Sequence, residues 1–196
     1  MKDFSRILFG HQKLFINLLN DFIEEKISNS IIFSGNKGVG KSTFCYLLIN
    51  EIYKKTGNNI EDETDFSNNI YNNTHSNVRH IKKEFDEKSK KRKQYITIDQ
   101  LRNLESFINQ SSLDNQPKFI IIDSSDDLNK SSSNFLLKKL EEPKNNTFYF
   151  LISHQPSNLL PTIRSRCIKF KFSNLSYNDF SSVINLNNKD ITDEDL

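Results

Sequence analysis

The sequence predicts an α/β fold: a parallel sheet covered by helices on both faces, with a phosphate-binding loop leaving one strand. Three observations predict it. The apolar run Ile31-Ile32-Phe33 passes into Gly35-Asn36-Lys37-Gly38-Val39-Gly40-Lys41-Ser42, which fits the pattern G-x-x-x-x-G-K-[ST]. A second continuous apolar run, Phe119-Ile120-Ile121-Ile122, ends in Asp123 and suits a parallel strand buried on both faces. Segments of this kind alternate with stretches of helical spacing, as in parallel sheets built from crossover units.

In chain order, Leu14, Phe15, Leu18, Leu19, Phe22 and Ile23 form a helical stripe, so an amphipathic helix is expected from about His11 to Glu25. The first strand and the phosphate loop follow. Phe44, Leu47, Leu48 and Ile52 keep helical spacing to about Lys55. Residues 56–76 are polar and Asn-rich with little apolar periodicity, and read as a surface excursion. Val78 to Ile81 reads as a short strand, and the basic run Lys88 to Lys93 as a solvated loop. Thr97-x-x-Gln100 resembles a capping box, and Ile98, Leu101, Leu104, Phe107 and Ile108 follow at helical spacing. A turn near Asp114 to Pro117 leads to the Phe119 strand. Asn129 to Glu142 reads as a helix stopped by Pro143, Phe148 to Ile152 as a strand, and Cys167 to Phe172 as another.

Each part of the glycine-rich loop has a chemical reason. Glycines let the backbone turn tightly and bring N–H groups to phosphate oxygens. Lys41 supplies a point charge near the β- and γ-phosphates, and the Ser42 hydroxyl is a Mg²⁺ ligand. The helix beginning near Lys41 turns its positive dipole end toward the same anions.

Composition bounds the rest. With 196 residues the chain can bury one proper core. Its 27 basic and 25 acidic residues leave a formal charge of +2, so no global field draws it to nucleic acid or membrane. No apolar run approaches the roughly 20 residues that span a bilayer, and Met1 to Arg6 lacks a signal peptide's apolar segment. Two cysteines, Cys45 and Cys167, make neither a disulfide framework nor a four-thiolate zinc site, and a reducing cytoplasm is the simplest home. Alanine is absent while Asn, Lys, Ile and Phe abound. That bias reflects codon drift, and it weakens Asn- and Ser-rich stretches as signs of disorder.

Two further groups bear on chemistry. Asp123 ends its strand where phosphate-loop enzymes place the acid of the Mg²⁺ shell; the plainer role is a strand-terminal Asp capping a turn. Ser124 follows, where a hydrolytic enzyme needs Glu to activate water. Serine removes no proton at neutral pH, so turnover at this chain's own site is expected to be poor. Asp126 and Asp127 lie in the turn beyond and are expected to point away. Arg164 and Arg166, just before the last strand, are by themselves a solvated edge.

Taken in order, these pieces resemble the bacterial clamp-loader branch of the AAA+ ATPases, and within it the delta-prime type. The resemblance runs through Phe9-Gly10-His11-Gln12, the phosphate loop, Ile98-Asp99-Gln100-Leu101-Arg102, Ile122 to Asp126, Leu136 to Pro143, Ser153-His154-Gln155-Pro156 and Ser165-Arg166-Cys167. It implies a P-loop NTPase three-layer sandwich with a five-stranded parallel sheet over residues 1–172, and the start of a helical lid over 173–196. It implies ATP and Mg²⁺ as ligands, held by Gly35, Asn36, Lys37, Gly38, Val39, Gly40, Lys41, Ser42 and Thr43, with Ser42 and Asp123 on the metal. Ser153 takes the position of the first sensor residue. Arg166 takes that of the arginine finger, which reaches a neighbour's ATP site and offers planar donors to γ-phosphate charge. The implied partners are other clamp-loader subunits (gamma/tau and delta) and, through them, the sliding clamp and primer-template DNA.

Departures from the pattern shape the expectation. The four-cysteine zinc module that often follows the phosphate loop has no counterpart here, so no zinc is expected, and His75 and His80 are expected at the surface. Phe135 stands where the family usually has a small residue. The chain stops at Leu196 just as Thr192 to Asp195 reads as the beginning of a helix, so it is either a fragment or a short form without the second sensor arginine and collar. The resulting expectation is a clamp-loader subunit that binds ATP with little turnover. The competing readings are a self-sufficient P-loop ATPase, of the gamma/tau type or a small nucleotide kinase, and a relic with no partner.

Overall fold

A computed structural model describes residues 8–56, 63–87, 89–110, 116–144 and 146–189. Its centre is a five-stranded sheet of β1 (Ser30–Ser34), β2 (Val78–Ile81), β5 (Lys118–Asp123), β6 (Thr147–Ser153) and β7 (Ile168–Lys171). The strand order is β2-β5-β6-β1-β7, and every neighbouring pair is parallel. Alternating side chains on the strands feed two cores. Ile31, Phe33, Phe119, Ile121, Phe148 and Phe150 face the helices α1 (Gln12–Ile23), α2 (Lys41–Lys55) and α3 (Glu63–Tyr71). Ile32, Ile120, Ile122, Tyr149 and Leu151 face α4 (Ile98–Asn109), α5 (Lys130–Glu141) and α6 (Pro161–Arg166). The result is the three-layer P-loop sandwich of the AAA+ type, and it explains why the strands read as unbroken apolar runs.

Local signals account for the starts of two helices. Thr97 caps α4 in an extended conformation, and Gln100 Oε1 accepts the Thr97 N–H at 3.0 Å, as the capping box requires. Asn129 caps α5 by accepting Ser132 N–H at 2.9 Å, so that helix starts one residue later than read. On α1, Leu14, Phe15, Leu18, Leu19 and Phe22 pack inward, but Ile23 is half exposed. A final helix, α7 (Tyr177–Lys189), follows β7.

Several expectations need correction. The polar excursion contains α3, seated by Phe66 and Ile70, one helical turn apart and both buried. The basic run is not all loop: β4 (Lys91–Arg92) pairs antiparallel with β3 (Phe85–Asp86). Lys88 lies outside the described residues, as do Asp114, Thr192 to Asp195 and Met1 to Arg6. The segment carrying Arg164 and Arg166, for which no helix is read from the sequence, is a six-residue helix with Pro161 in its first turn. His80 is buried, not at the surface, and His75 is half-buried, stacked on Tyr53 with ring centroids 5.5 Å apart. No helix among the described residues is long and apolar enough to cross a membrane.

Candidate functional site

The topology chooses where a ligand sits. From β1 the chain crosses to β2 through α2 on one face; from β6 it crosses to β7 through α6 on the other. Loops leaving β1 and β6 therefore diverge at the carboxyl edge, where open α/β sheets hold ligands. Ser34 at the end of β1 pairs with Ser153 at the end of β6, and Asp123 at the end of β5 pairs with Ile152.

The glycine-rich loop spans the gap between Ser34 and α2. Gly35 N–H donates to Ser153 O at 3.2 Å, so the loop is pinned to β6 at its first residue. A side chain at Gly35 has no room, because its Cβ would stand 2.6 Å from Phe172 O. Gly38 has φ +89° with nothing around it, a conformation that glycine adopts freely. Lys37 is exposed, Val39 is buried, and Asn36 Nδ2 donates to Asn174 Oδ1 at 2.9 Å. Lys41 opens α2 and is buried; its ammonium donates to Gly35 O and Asn36 O, both at 2.6 Å. Burial lowers its pKa from the ordinary value while Asp123 and Asp126 push the other way. Ser42 and Thr43 follow in the first turn of α2.

Ser42 Oγ donates to Asp123 Oδ2 at 3.2 Å, which brings together the two residues expected to share a metal. Burial works against the Asp123 carboxylate, yet His80, Ser42 and His154 outweigh it and hold its pKa below the ordinary value. Ser124 adopts φ +63° and its Oγ lies 3.2 Å from His154 Nε2. The two acids beyond it are engaged elsewhere. Asp126 accepts the His154 and Gln155 N–H groups at 3.0 and 3.2 Å, and Asp127 pairs with Lys83 at 2.7 Å. Ser153 is fully buried and its Oγ has no hydrogen-bond partner.

Arg166 sits apart from this group. It ends α6, two residues before Ile168, which pairs with Ile31 near the start of β1. That register puts it at the amino edge of the sheet, opposite the phosphate loop. Its side chain is exposed, bonded to Glu141 Oε1 at 2.7 Å and to Thr162 O at 3.0 Å. Arg164 is half-buried on the same short helix.

Three residues not anticipated as site residues belong to the carboxyl-edge cluster. His80 on β2 stands 3.7 Å from Asp123 Oδ2, Tyr46 on α2 bonds the far side of the His80 ring, and His154 meets Ser124. Tyr46 lies four residues after Ser42, on the same helix face, and His80 alternates with buried Val78 on β2. Those spacings were the available signals.

Known proteins resemble this chain in sequence and in fold. Residues 10–176 match the family described as DNA polymerase III, delta subunit. The chain is 45% identical over 74 residues to the DNA polymerase III subunit delta′ of Pseudomonas aeruginosa, covering 38% of this chain and 23% of that protein. It is 30% identical over 159 residues to the subunit delta′ of Bacillus subtilis, covering 81% and 46%. A replication factor C small subunit of Methanococcus vannielii is 28% identical over 172 residues, covering 87% and 46%. Thus the chain spans half or less of the length of these relatives. Among solved structures, a DNA polymerase III gamma subunit-related protein of Thermotoga maritima superposes with TM-score 0.64 at 22% identity, covering 88% of this chain and 49% of that one. The Thermotoga maritima RuvB branch migration motor superposes with TM-score 0.58 at 13% identity, covering 95% and 53%; both likenesses concern the fold. With the match of residues 10–176 extending across the sheet, the phosphate loop and the Arg166 helix, this chain belongs to the DNA polymerase III delta subunit family.

Proposed function

We propose that the chain is a clamp-loader subunit of the delta-prime type, working in the cytoplasm within the DNA polymerase III holoenzyme. It binds ATP with Mg²⁺ at its own phosphate loop, turns it over poorly, and lends Arg166 to a neighbouring ATPase subunit during loading of the sliding clamp onto primer-template DNA. The neighbours in this reading are gamma/tau and delta subunits. Residues 1–172 form the nucleotide-binding domain and residues 173–196 the start of the lid, to which α7 belongs.

The observation that carries the reading is the division of labour between edges: Lys41, Ser42, Asp123 and Ser153 gather at one, and Arg166 stands exposed at the other. The donor set fits its ligands. Ser42 and Asp123 offer hard oxygens suited to Mg²⁺, and the orphaned Ser153 hydroxyl is a buried polar atom in want of a partner. The metal, when bound, neutralises phosphate charge. Lys41 and the loop N–H groups hold the phosphates. No carboxylate follows Asp123 to orient water, because Ser124 stands there and Asp126 is occupied by backbone N–H groups.

The intact loop favours one rival, a self-sufficient ATPase. Steady-state ATP turnover of the isolated chain separates the two. The proposal expects ATP binding that Lys41→Ala abolishes, with negligible turnover. Appreciable turnover that survives Arg166→Ala and dies with Lys41→Ala would establish the rival.

A further inference from the structure

Behind Asp123 lies a buried polar chain that neither the loop nor the finger explains. His80 is 2% exposed. Its Nδ1 lies 2.9 Å from the Tyr46 hydroxyl, while its Nε2 makes no hydrogen bond and stands 3.7 Å from Asp123 Oδ2, the oxygen that accepts from Ser42. Buried polar atoms are nearly always satisfied, so an orphan nitrogen facing a carboxylate asks for a reason.

We infer that His80, oriented by Tyr46, is a positioning residue that holds the Asp123 carboxylate in place for Mg²⁺-dependent nucleotide binding. The inference rests on the proposed nucleotide site. With Tyr46 donating into Nδ1, the ring carries its proton on Nε2 and presents it to Asp123. Carboxylate–histidine pairs of this kind fix the orientation of metal-binding groups from behind. The parts are coupled through one helix: Ser42 and Tyr46 are one turn apart on α2, so the element that carries the metal-binding hydroxyl also carries the group that orients the histidine. On the sheet side, His80 pairs with Ile121 on β5, two residues before Asp123. The competing explanation is packing alone, since the His80 ring also lies 5.6 Å from that of Tyr46 and 6.3 Å from that of Tyr71.

Affinity for a fluorescent ATP analogue, measured with saturating Mg²⁺ and again in EDTA, separates the two. In the wild type Mg²⁺ tightens binding. His80→Phe keeps a flat ring but loses the nitrogens, and is expected to cut the Mg²⁺-dependent gain by about tenfold or more, with the EDTA affinity unchanged within about twofold. His80→Gln, which restores an N–H donor, is expected to recover part of the gain. Tyr46→Phe is expected to lose a smaller part. A His80→Phe protein that keeps the full gain, or that weakens equally in both conditions, overturns the inference in favour of packing. Should His80→Phe fail to fold, Tyr46→Phe decides, and an undiminished gain there overturns it. A wild type that binds no analogue in either condition overturns the nucleotide site itself, an outcome distinct from the others.

Discussion

Alanine at Gly35 tests how the phosphate loop is seated on the sheet. Gly35 leaves β1 with φ +154°, and a Cβ built there would stand 2.6 Å from Phe172 O and 3.0 Å from Phe172 Cβ. The first distance is about 0.8 Å inside the 3.4 Å at which ordinary contact begins. Phe172 is poorly placed to yield. Its N–H donates to Ser34 O at 2.7 Å, and its ring packs against those of His11, Phe33 and Phe44. Either β7 withdraws from β1 or the loop lifts from the edge. Overpacking of this kind costs about 1–3 kcal/mol, and the unfavourable backbone conformation adds about 1 kcal/mol, so Gly35→Ala is expected to destabilise by roughly 2–4 kcal/mol. Gly38→Ala is the control: with φ +89° and nothing within 4 Å, it incurs only backbone strain of about 1–2 kcal/mol. Urea unfolding followed by circular dichroism should rank wild type above Gly38→Ala and Gly38→Ala above Gly35→Ala. At about 2–4 °C per kcal/mol for a domain of this size, the same order should appear in Tm. A Gly35→Ala midpoint equal to or above that of Gly38→Ala would refute the seating argument.

Other predictions follow from packing and charge. Phe150 is fully buried against Phe33 and Phe119, with ring centroids 5.3 and 5.4 Å away, so Phe150→Ala should cost about 3–5 kcal/mol in urea unfolding; a loss below about 1 kcal/mol would contradict the described core. Arg166→Ala removes an exposed pair with Glu141 and should change stability by less than about 1 kcal/mol, leaving the chain's own ATP affinity intact by equilibrium binding. Burial raises the Cys167 thiol to about 11 and pushes that of Cys45 well up. Both should resist a thiol reagent at pH 8 in the native protein and react on unfolding, and fast labelling of either in the folded state would be inconsistent with the fold. The sign follows: a thiol pKa raised by folding contributes stability in full below the ordinary thiol range, and Cys167 loses its share as pH rises toward 11.

The sheet and the phosphate loop were legible because their signals are local. Ile31 to Phe33 and Phe119 to Ile122 are apolar on both faces, and the spacing from Gly35 to Ser42 encodes the loop directly. Helix α3 escaped because only Phe66 and Ile70 seat it, too few positions to show a period amid asparagines. The hairpin escaped because two residues per strand carry no alternation. His80 was misjudged for a different reason. Its burial depends on Tyr46, 34 residues away in the chain, and no local pattern announces a contact between a strand and a distant helix. The same holds for His154 and Ser124, which sit at the ends of neighbouring strands and meet only once β5 and β6 pair.

Within the proposed function, position along the sheet decides whose triphosphate Arg166 can serve. Lys171 pairs with Ser34, the last residue before the phosphate loop, and Ile168 pairs with Ile31. Ile168 precedes Lys171 by three positions, which at about 3.3 Å per residue places it roughly 10 Å back from the loop's edge, and Arg166 lies two residues before it at the end of α6. Its guanidinium is turned toward Glu141 on α5, on the sheet face opposite α2. A rigid parallel sheet cannot shorten that path, because doing so would break the β1–β7 register that buries Phe172. Within the chain Arg166 pairs with Glu141 and stands far from the phosphate loop, so in the proposed reading a phosphate that it meets belongs to another subunit, and the short helix α6 explains how the arginine is offered. Ile163 anchors the helix in the core while Arg166, three residues on, is left at the surface. Within the proposed function, the loss of a carboxylate after Asp123 and the retention of Arg166 are then two sides of one division of labour. In that reading the chain's own site is free to lose its chemistry, since the guanidinium it carries would act on a phosphate held by another subunit.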